Sequence, residues 1–208
     1  MATLADIDIK QLLESGALRI ENFSDSSLDG ASYDLRLGES YYVSNEKTPK
    51  KLSDGDVLSL EPNQFALVST HEILELPTNL IGQVGLRSRY SLSGLMNISG
   101  LQVDPGFRGR LVLGIVNLST KTRKISYLER IFTIQFHTLS KNSSKPYRGI
   151  LLGVKGIPAD FIEKLEDHNM PSHFELINRV EKLESLVKWV IIGGLGTVAV
   201  IVLQSILK

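Results

Sequence analysis

From residue 31 to residue 140, apolar and polar positions alternate in short runs: DLRLGESYYV, DVLSLEP, QFALVST, IGQVGLRS, GRLVLGIVN and RIFTIQFHTL. Gly, Pro, Asn and Asp separate the runs. A period of two sends successive side chains to opposite faces of a strand, so each run reads as a strand buried on one side or on both. Several such strands at close, turn-marked spacing predict an all-β sandwich or barrel. Upstream, ADIDIKQLLESGALRI sets Ile9, Leu12 and Leu13 on one helical stripe and offers Gly16 as a stop, which predicts a short N-terminal helix. Downstream, residues 141–157 open with KNSSKP and predict a loop with irregular structure, and PADFIEKLEDHN at 158–169 predicts a short amphipathic helix beginning at Pro158.

The pattern then changes period. Ser172 and Glu175 have the spacing of a capping box, and Leu176, Val180, Leu183 and Val187 follow at steps of four and three. That is a heptad seam less than two heptads long, too short for a stable coiled coil by itself. Two readings fit it: an amphipathic helix packed on the preceding domain, or a stalk leading into the next segment. From Trp189 to Leu207 nineteen residues carry no charge, with Lys188 and Lys208 at the edges. As a helix rising about 1.5 Å per residue, this run covers roughly 28 Å, close to the hydrocarbon core of a bilayer. It predicts a transmembrane helix, with Trp189 at an interface and Gly193, Gly194 and Gly196 available for close packing. Residues 1–10 show neither a basic opening nor an apolar run, so a single-pass protein with its main domain in the cytoplasm is expected. The expected organisation is a β domain at 1–140, a linker with a short helix at 141–171, an amphipathic stalk at 172–188 and the span at 189–207.

Composition narrows the function classes. Lys and Arg total 23 against 23 Asp and Glu, so there is no excess of cations for general nucleic-acid binding. With no Cys, disulfides, thiolate catalysis and Cys-ligated zinc are excluded. His71, His137, His168 and His173 are scattered, and neither an H-x-E with C-x-x-C nor a Walker A, G-x-S-x-G or H-E-x-x-H motif occurs.

Three stretches carry candidate chemistry. Ser32-Tyr33-Asp34-Leu35-Arg36-Leu37-Gly38 places an acid and a base within an alternating strand. Gly85-Leu86-Arg87-Ser88-Arg89-Tyr90-Ser91 groups two guanidiniums with hydroxyls, a set suited to phosphate oxygens. Asp104-Pro105-Gly106-Phe107-Arg108-Gly109 is a turn with a carboxylate on its leading edge.

In this order, and with the DPGFRG turn, the chain resembles the dCTP deaminase and dUTPase superfamily over roughly residues 3–140. The resemblance implies a jelly-roll-like, mainly β fold and a homotrimer with nucleotide sites between subunits. It also implies a pyrimidine nucleotide ligand whose triphosphate carries Mg²⁺. Transferred residue by residue, it implies nucleotide contacts from Arg87, Ser88, Arg89, Asp104, Gln135 and Asp34. Arg89 stands where the family has a small residue, and Thr133 where the fourth motif usually has Gln. Asp104 would be the catalytic residue of a hydrolytic member. One departure decides the reading. The family's deaminases carry a glutamate in a pattern like V-L-E-x-x-N after the turn, and here the segment is Val112-Leu113-Gly114-Ile115-Val116-Asn117. Glycine has no group to take a proton from water, and loss of a general base typically costs about 10²–10⁴ in rate. The family's mobile C-terminal arm is also replaced: Tyr147-Arg148-Gly149 would be its remnant.

These observations lead to the expectation of a membrane-anchored sensor that binds a pyrimidine nucleotide without deaminating it. In general plan it is similar to antiphage transmembrane effectors of the Pycsar type, in which a neighbouring nucleotide cyclase supplies a cyclic pyrimidine nucleotide and the membrane is impaired. The rival expectations are a tethered dCTP deaminase or dUTPase-like hydrolase, and an interaction module with no ligand.

Overall fold

The structure, a computed structural model, describes residues 2–44, 46–154, 156–166 and 177–192. Contacts divide the chain into two units, Met1–His168 and Asn169–Lys208.

In the first unit, helix α1 (Asp6–Glu14) precedes strands β1 (Arg19–Glu21), β2 (Leu28–Asp29), β3 (Ser32–Val43), β4 (Lys50–Lys51), β5 (Val57–Leu60), β6 (Phe65–Thr70), β7 (Ile73–Glu75) and β8 (Leu80–Leu86). A single turn, α2 (Ser88–Ser91), leads to β9 (Leu95–Asn97), β10 (Gln102–Val103), β11 (Arg108–Gly109), β12 (Val112–Asn117), β13 (Arg123–Ser126), β14 (Arg130–Thr138) and helix α3 (Ala159–Glu166). The unit is mainly β with a short N-terminal helix, as the alternation predicts. The Asp8 carboxylate accepts the Ala5 N–H at 3.0 Å and starts α1, and Gly16, at φ 73°, ends the turn after it.

The largest sheet runs β10-β8-β14-β3-β6-β12-β9, all antiparallel, and two smaller sheets are β1-β7-β11 and β13-β5. Strand β3 is its hinge: Tyr33 to Arg36 pair with β14, and Tyr41 to Val43 pair with β6. The register breaks between Leu37 and Tyr41. Gly38 sits at this break, and a Cβ there would lie 2.5 Å from the Thr70 carbonyl oxygen, so only glycine lets the two strands approach this closely.

One apolar core holds the unit together, with Tyr33, Phe132 and Phe136 its largest fully buried side chains. Strand β14 shows how alternation builds it: Phe132, Ile134 and Phe136 face inward, while Thr133 and Gln135 face out. Glu72 is fully buried, and is held by the Arg36 backbone N–H at 2.9 Å and the Arg36 Nε at 2.7 Å. Residues 141–154 and 156–166 also belong to this unit. Tyr147 packs against Phe107 with ring centroids 5.3 Å apart, and its N–H donates to the Pro105 carbonyl at 2.8 Å. The segment expected as the remnant of a mobile arm is therefore seated on the turn of its own chain. Ile157 and Ile162 bury against Tyr42, Leu67 and Val112.

In the second unit, residues 177–192 are helical. Among the described residues no helix is long and apolar enough to cross a membrane. Most of the expected span at 189–207, together with the Ser172–Glu175 capping box and Leu176, lies outside the described residues.

Candidate nucleotide site

The sheet brings several of the singled-out residues onto one outward face. Asp34 on β3 stands opposite Thr133 on β14, and Thr133 stands opposite Gly85 on β8. Two residues further along the same strands, Gln135 stands opposite Gln83, and Gln83 opposite Gln102 on β10. The two rows are about 7 Å apart along the strands. The inner face behind them is Gly82, Val84, Val103, Phe132, Ile134 and Phe136, all buried. A polar track thus lies over an apolar floor: Gln83, Gln102 and Gln135 are exposed, and a Cβ added at Gly85 would meet open space.

Arg87 closes one end of the track. Its backbone N–H donates to the Ile131 carbonyl at 2.9 Å, which fixes the chain as it leaves β8. Its Nε lies 3.1 Å from Asp34 Oδ2. Asp34 is 7% exposed, and burial pushes its carboxyl above the usual carboxylate range, against the pull of Arg87. Ser88, next in the chain, is exposed. At the other end, Asp104 accepts a 2.7 Å bond from Gln102 Nε2, and its carbonyl accepts the Phe107 N–H across the turn at 3.1 Å. Gly106, at φ 77°, makes that turn, and a Cβ there would collide with Pro146 at 2.7 Å.

Arg89 goes elsewhere. Its Nη2 lies 3.9 Å from Glu129, and its guanidinium sits 5.2 Å above the Tyr90 ring. Tyr90 donates its hydroxyl to the same Glu129 carboxylate, and burial together with that carboxylate raises the phenol's pKa. The two guanidiniums of the Arg-Ser-Arg segment therefore take separate carboxylates.

Position 114 is closely bordered. Gly114 is buried on β12, its N–H donates to Ser99 Oγ at 2.9 Å, and its carbonyl accepts the Ile98 N–H at 2.9 Å. A Cβ there would lie 3.1 Å from the Phe65 ring and 3.2 Å from Ile98 Cγ1. A side chain there would require the Phe65 ring and the half-exposed Ile98 to give way by a few tenths of an ångström.

A family model described as dCTP deaminase-like matches residues 3–139. The chain belongs to the dCTP deaminase-like family. Among relatives of this family, a protein of Thermococcus kodakarensis named dCTP deaminase is 39% identical over 136 residues, spanning 65% of this chain and 86% of the relative. A protein of Methanothermobacter thermautotrophicus named dCTP deaminase, dUMP-forming, is 30% identical over 167 residues, spanning 71% and 84%. The crystal structure of a 2′-deoxycytidine 5′-triphosphate deaminase from Agrobacterium tumefaciens superposes with a TM-score of 0.57 at 20% identity, over 65% of this chain and 48% of that one, and shares the fold.

Reading the sequence singled out Asp34, Arg87, Ser88, Asp104 and Gln135 but missed Gln83, Gln102, Phe65 and Ile98. The glutamines had a signal: Gln83 is the outward residue of an otherwise apolar IGQVGL run, and Gln102 precedes the turn by two. Phe65 and Ile98 had none, because their nearness to position 114 comes from pairing across strands. Among the described residues no group of three or more His, Asp or Glu could hold a metal ion.

Proposed function

We propose that the first unit binds a pyrimidine deoxynucleotide along this track, with dCTP the first ligand to test, and that three copies assemble with nucleotide between them. The carrying observation is the track itself, a row of hydrogen-bonding side chains between Arg87 and Asp104 in a chain of this family. Phosphate oxygens suit the Arg87 guanidinium and the exposed Ser88 hydroxyl, and a base or sugar edge suits the glutamine amides. Mg²⁺ belongs with the triphosphate, since Asp34 and Asp104 are each engaged with a neighbour in the chain. Assembly is supported by apolar side chains beside α2 and β9: Leu92, Met96, Leu101 and Leu118 are all more than half exposed.

Once the nucleotide is bound, two outcomes are open, and each rests on an observation. The relatives' names favour turnover, a dCTP deaminase or a hydrolase. The packing at Gly114 favours binding without deamination, because adding water at the ring carbon and releasing ammonia needs a group that accepts the water's proton. An active member would have to draw that base from elsewhere, and Asp104 is a carboxylate on the track that could serve. Nothing in the comparisons speaks for a sensor or effector role or for a partner cyclase. Membrane attachment through 189–207 is proposed on the uncharged run alone, with the first unit on the cytoplasmic side.

The deciding experiment titrates full-length protein in detergent with dCTP, dUTP, cCMP and cUMP by calorimetry while following ammonia and nucleotide products. Binding of dCTP or dUTP supports the proposal, and product formation decides between the two outcomes. Heat only from the cyclic nucleotides would favour the effector, and heat from none would overturn nucleotide binding. Recovery of the protein in the soluble fraction after cell lysis would overturn the anchor.

A further inference from the structure

The 177–192 helix displays an apolar seam that no other described residue covers. Val180, Leu183, Val187 and Val190 follow at steps of three, four and three, and are 54%, 60%, 55% and 72% exposed. In a heptad frame Val180 and Val187 are a, and Leu183 and Val190 are d. The opposite face carries Asn178, Glu181, Lys182 and Ser185 in its first turns and Lys188, Trp189 and Ile192 in its last. Ile177 and Ile191 at e and Leu186 at g widen the apolar face beyond a strict two-residue seam, as in helices that meet more than one neighbour. The charges at the seam's edges are complementary in one arrangement. Arg179 is g and Glu184 is the e position five residues later, the pair that meets between neighbouring helices when they run parallel and in register. Antiparallel helices set g against g and e against e, and separate these two.

We propose that this helix is a self-association element, and that its occupant is the same helix from other copies of the chain, parallel and in register, closed by Arg179 of one copy against Glu184 of the next. Fewer than three heptads cannot hold such a bundle unaided, so the seam acts once copies are already held close, where effective concentration replaces intrinsic affinity. The inference goes beyond the nucleotide reading and does not depend on which ligand the first unit binds.

The chain has no Cys, so single cysteines report contacts without interference. In full-length protein, Val180→Cys, Leu183→Cys and Val190→Cys should each form a disulfide-linked dimer on mild oxidation, at least about tenfold faster than Ser185→Cys on the opposite face, because a disulfide needs Cα atoms within about 7 Å. Antiparallel helices in an a-to-d register would hold residue 180, and likewise 190, about 15 Å from its own copy, so neither would self-link. Arg179→Glu should slow linking through Leu183→Cys, and adding Glu184→Arg should restore it. Equal linking at 183 and 185, no linking at any position, or linking at 183 without 180 and 190 would each overturn the proposal. The cross-linking pattern is read separately from nucleotide heat, so either idea can fail alone.

Discussion

The guanidinium of Arg87 covers the carboxylate of Asp34, with Nε 3.1 Å from Oδ2, and so joins the segment after β8 to a strand that begins more than fifty residues earlier. The pair does two jobs. It offsets the cost of burying Asp34, and it holds a guanidinium at the end of the polar track.

Replacing Arg87 separates those jobs. Arg87→Ala should weaken dCTP binding by at least tenfold, the scale of one lost charge-assisted hydrogen bond of about 1.5 kcal/mol or more, and should also lower the melting temperature because Asp34 loses its paired cation and keeps only Thr133 and the more distant Arg130. Arg87→Ala with Asp34→Asn should regain stability without regaining affinity. Calorimetric titration and thermal melts check both, and recovery of affinity in the double variant would remove Arg87 from the site.

A carboxylate placed at position 114 should cost stability whether or not the parent protein turns dCTP over. Gly114→Glu forces a side chain against Phe65 and Ile98, and overpacking of this kind typically costs about 1–3 kcal/mol. The variant should melt lower and release ammonia from dCTP no faster than the parent, while Gly114→Glu with Phe65→Ala should recover part of the lost stability. A fully stable single variant would show that Phe65 yields easily.

The Arg36–Glu72 pair is structural. Arg36→Ala leaves a fully buried carboxylate with its main partner gone, a change that costs about 3–5 kcal/mol. Arg36→Ala with Glu72→Gln should be less damaging than the single change, since no charge is then stranded. Chemical denaturation of the three variants checks the order.

His71 gives the fold a pH dependence of known sign. Burial, with Arg36 and Arg110 nearby, lowers its pKa below the ordinary value, so the folded protein binds a proton there less readily than the unfolded chain does. Its contribution is therefore full above about pH 6.5 and is lost as pH falls below that value. His71→Gln should flatten the stability profile below neutrality, and an unchanged profile would assign the effect to other groups.

The alternation of residues 31–140 was enough to place most of the longer strands, because whether a side chain faces core or water is decided within a few residues. The existence of α1 and its stop near Gly16 were legible for the same reason. Asp34, Arg87 and Asp104 stood out as charges in or beside apolar runs, and the heptad steps of the C-terminal segment could be read directly. The contacts that join these residues were not legible. Asp34 meets Thr133 and Arg87 because β3 lies between β14 and β6, strands from the far end and the middle of the domain. Gly114 read as a missing group, and only the sheet shows that Phe65 and Ile98 border it closely. Local pattern follows from the chemistry of each residue against water. The pairing of strands distant in the chain follows from how one core closes around all of them at once, and the site is a product of that closure.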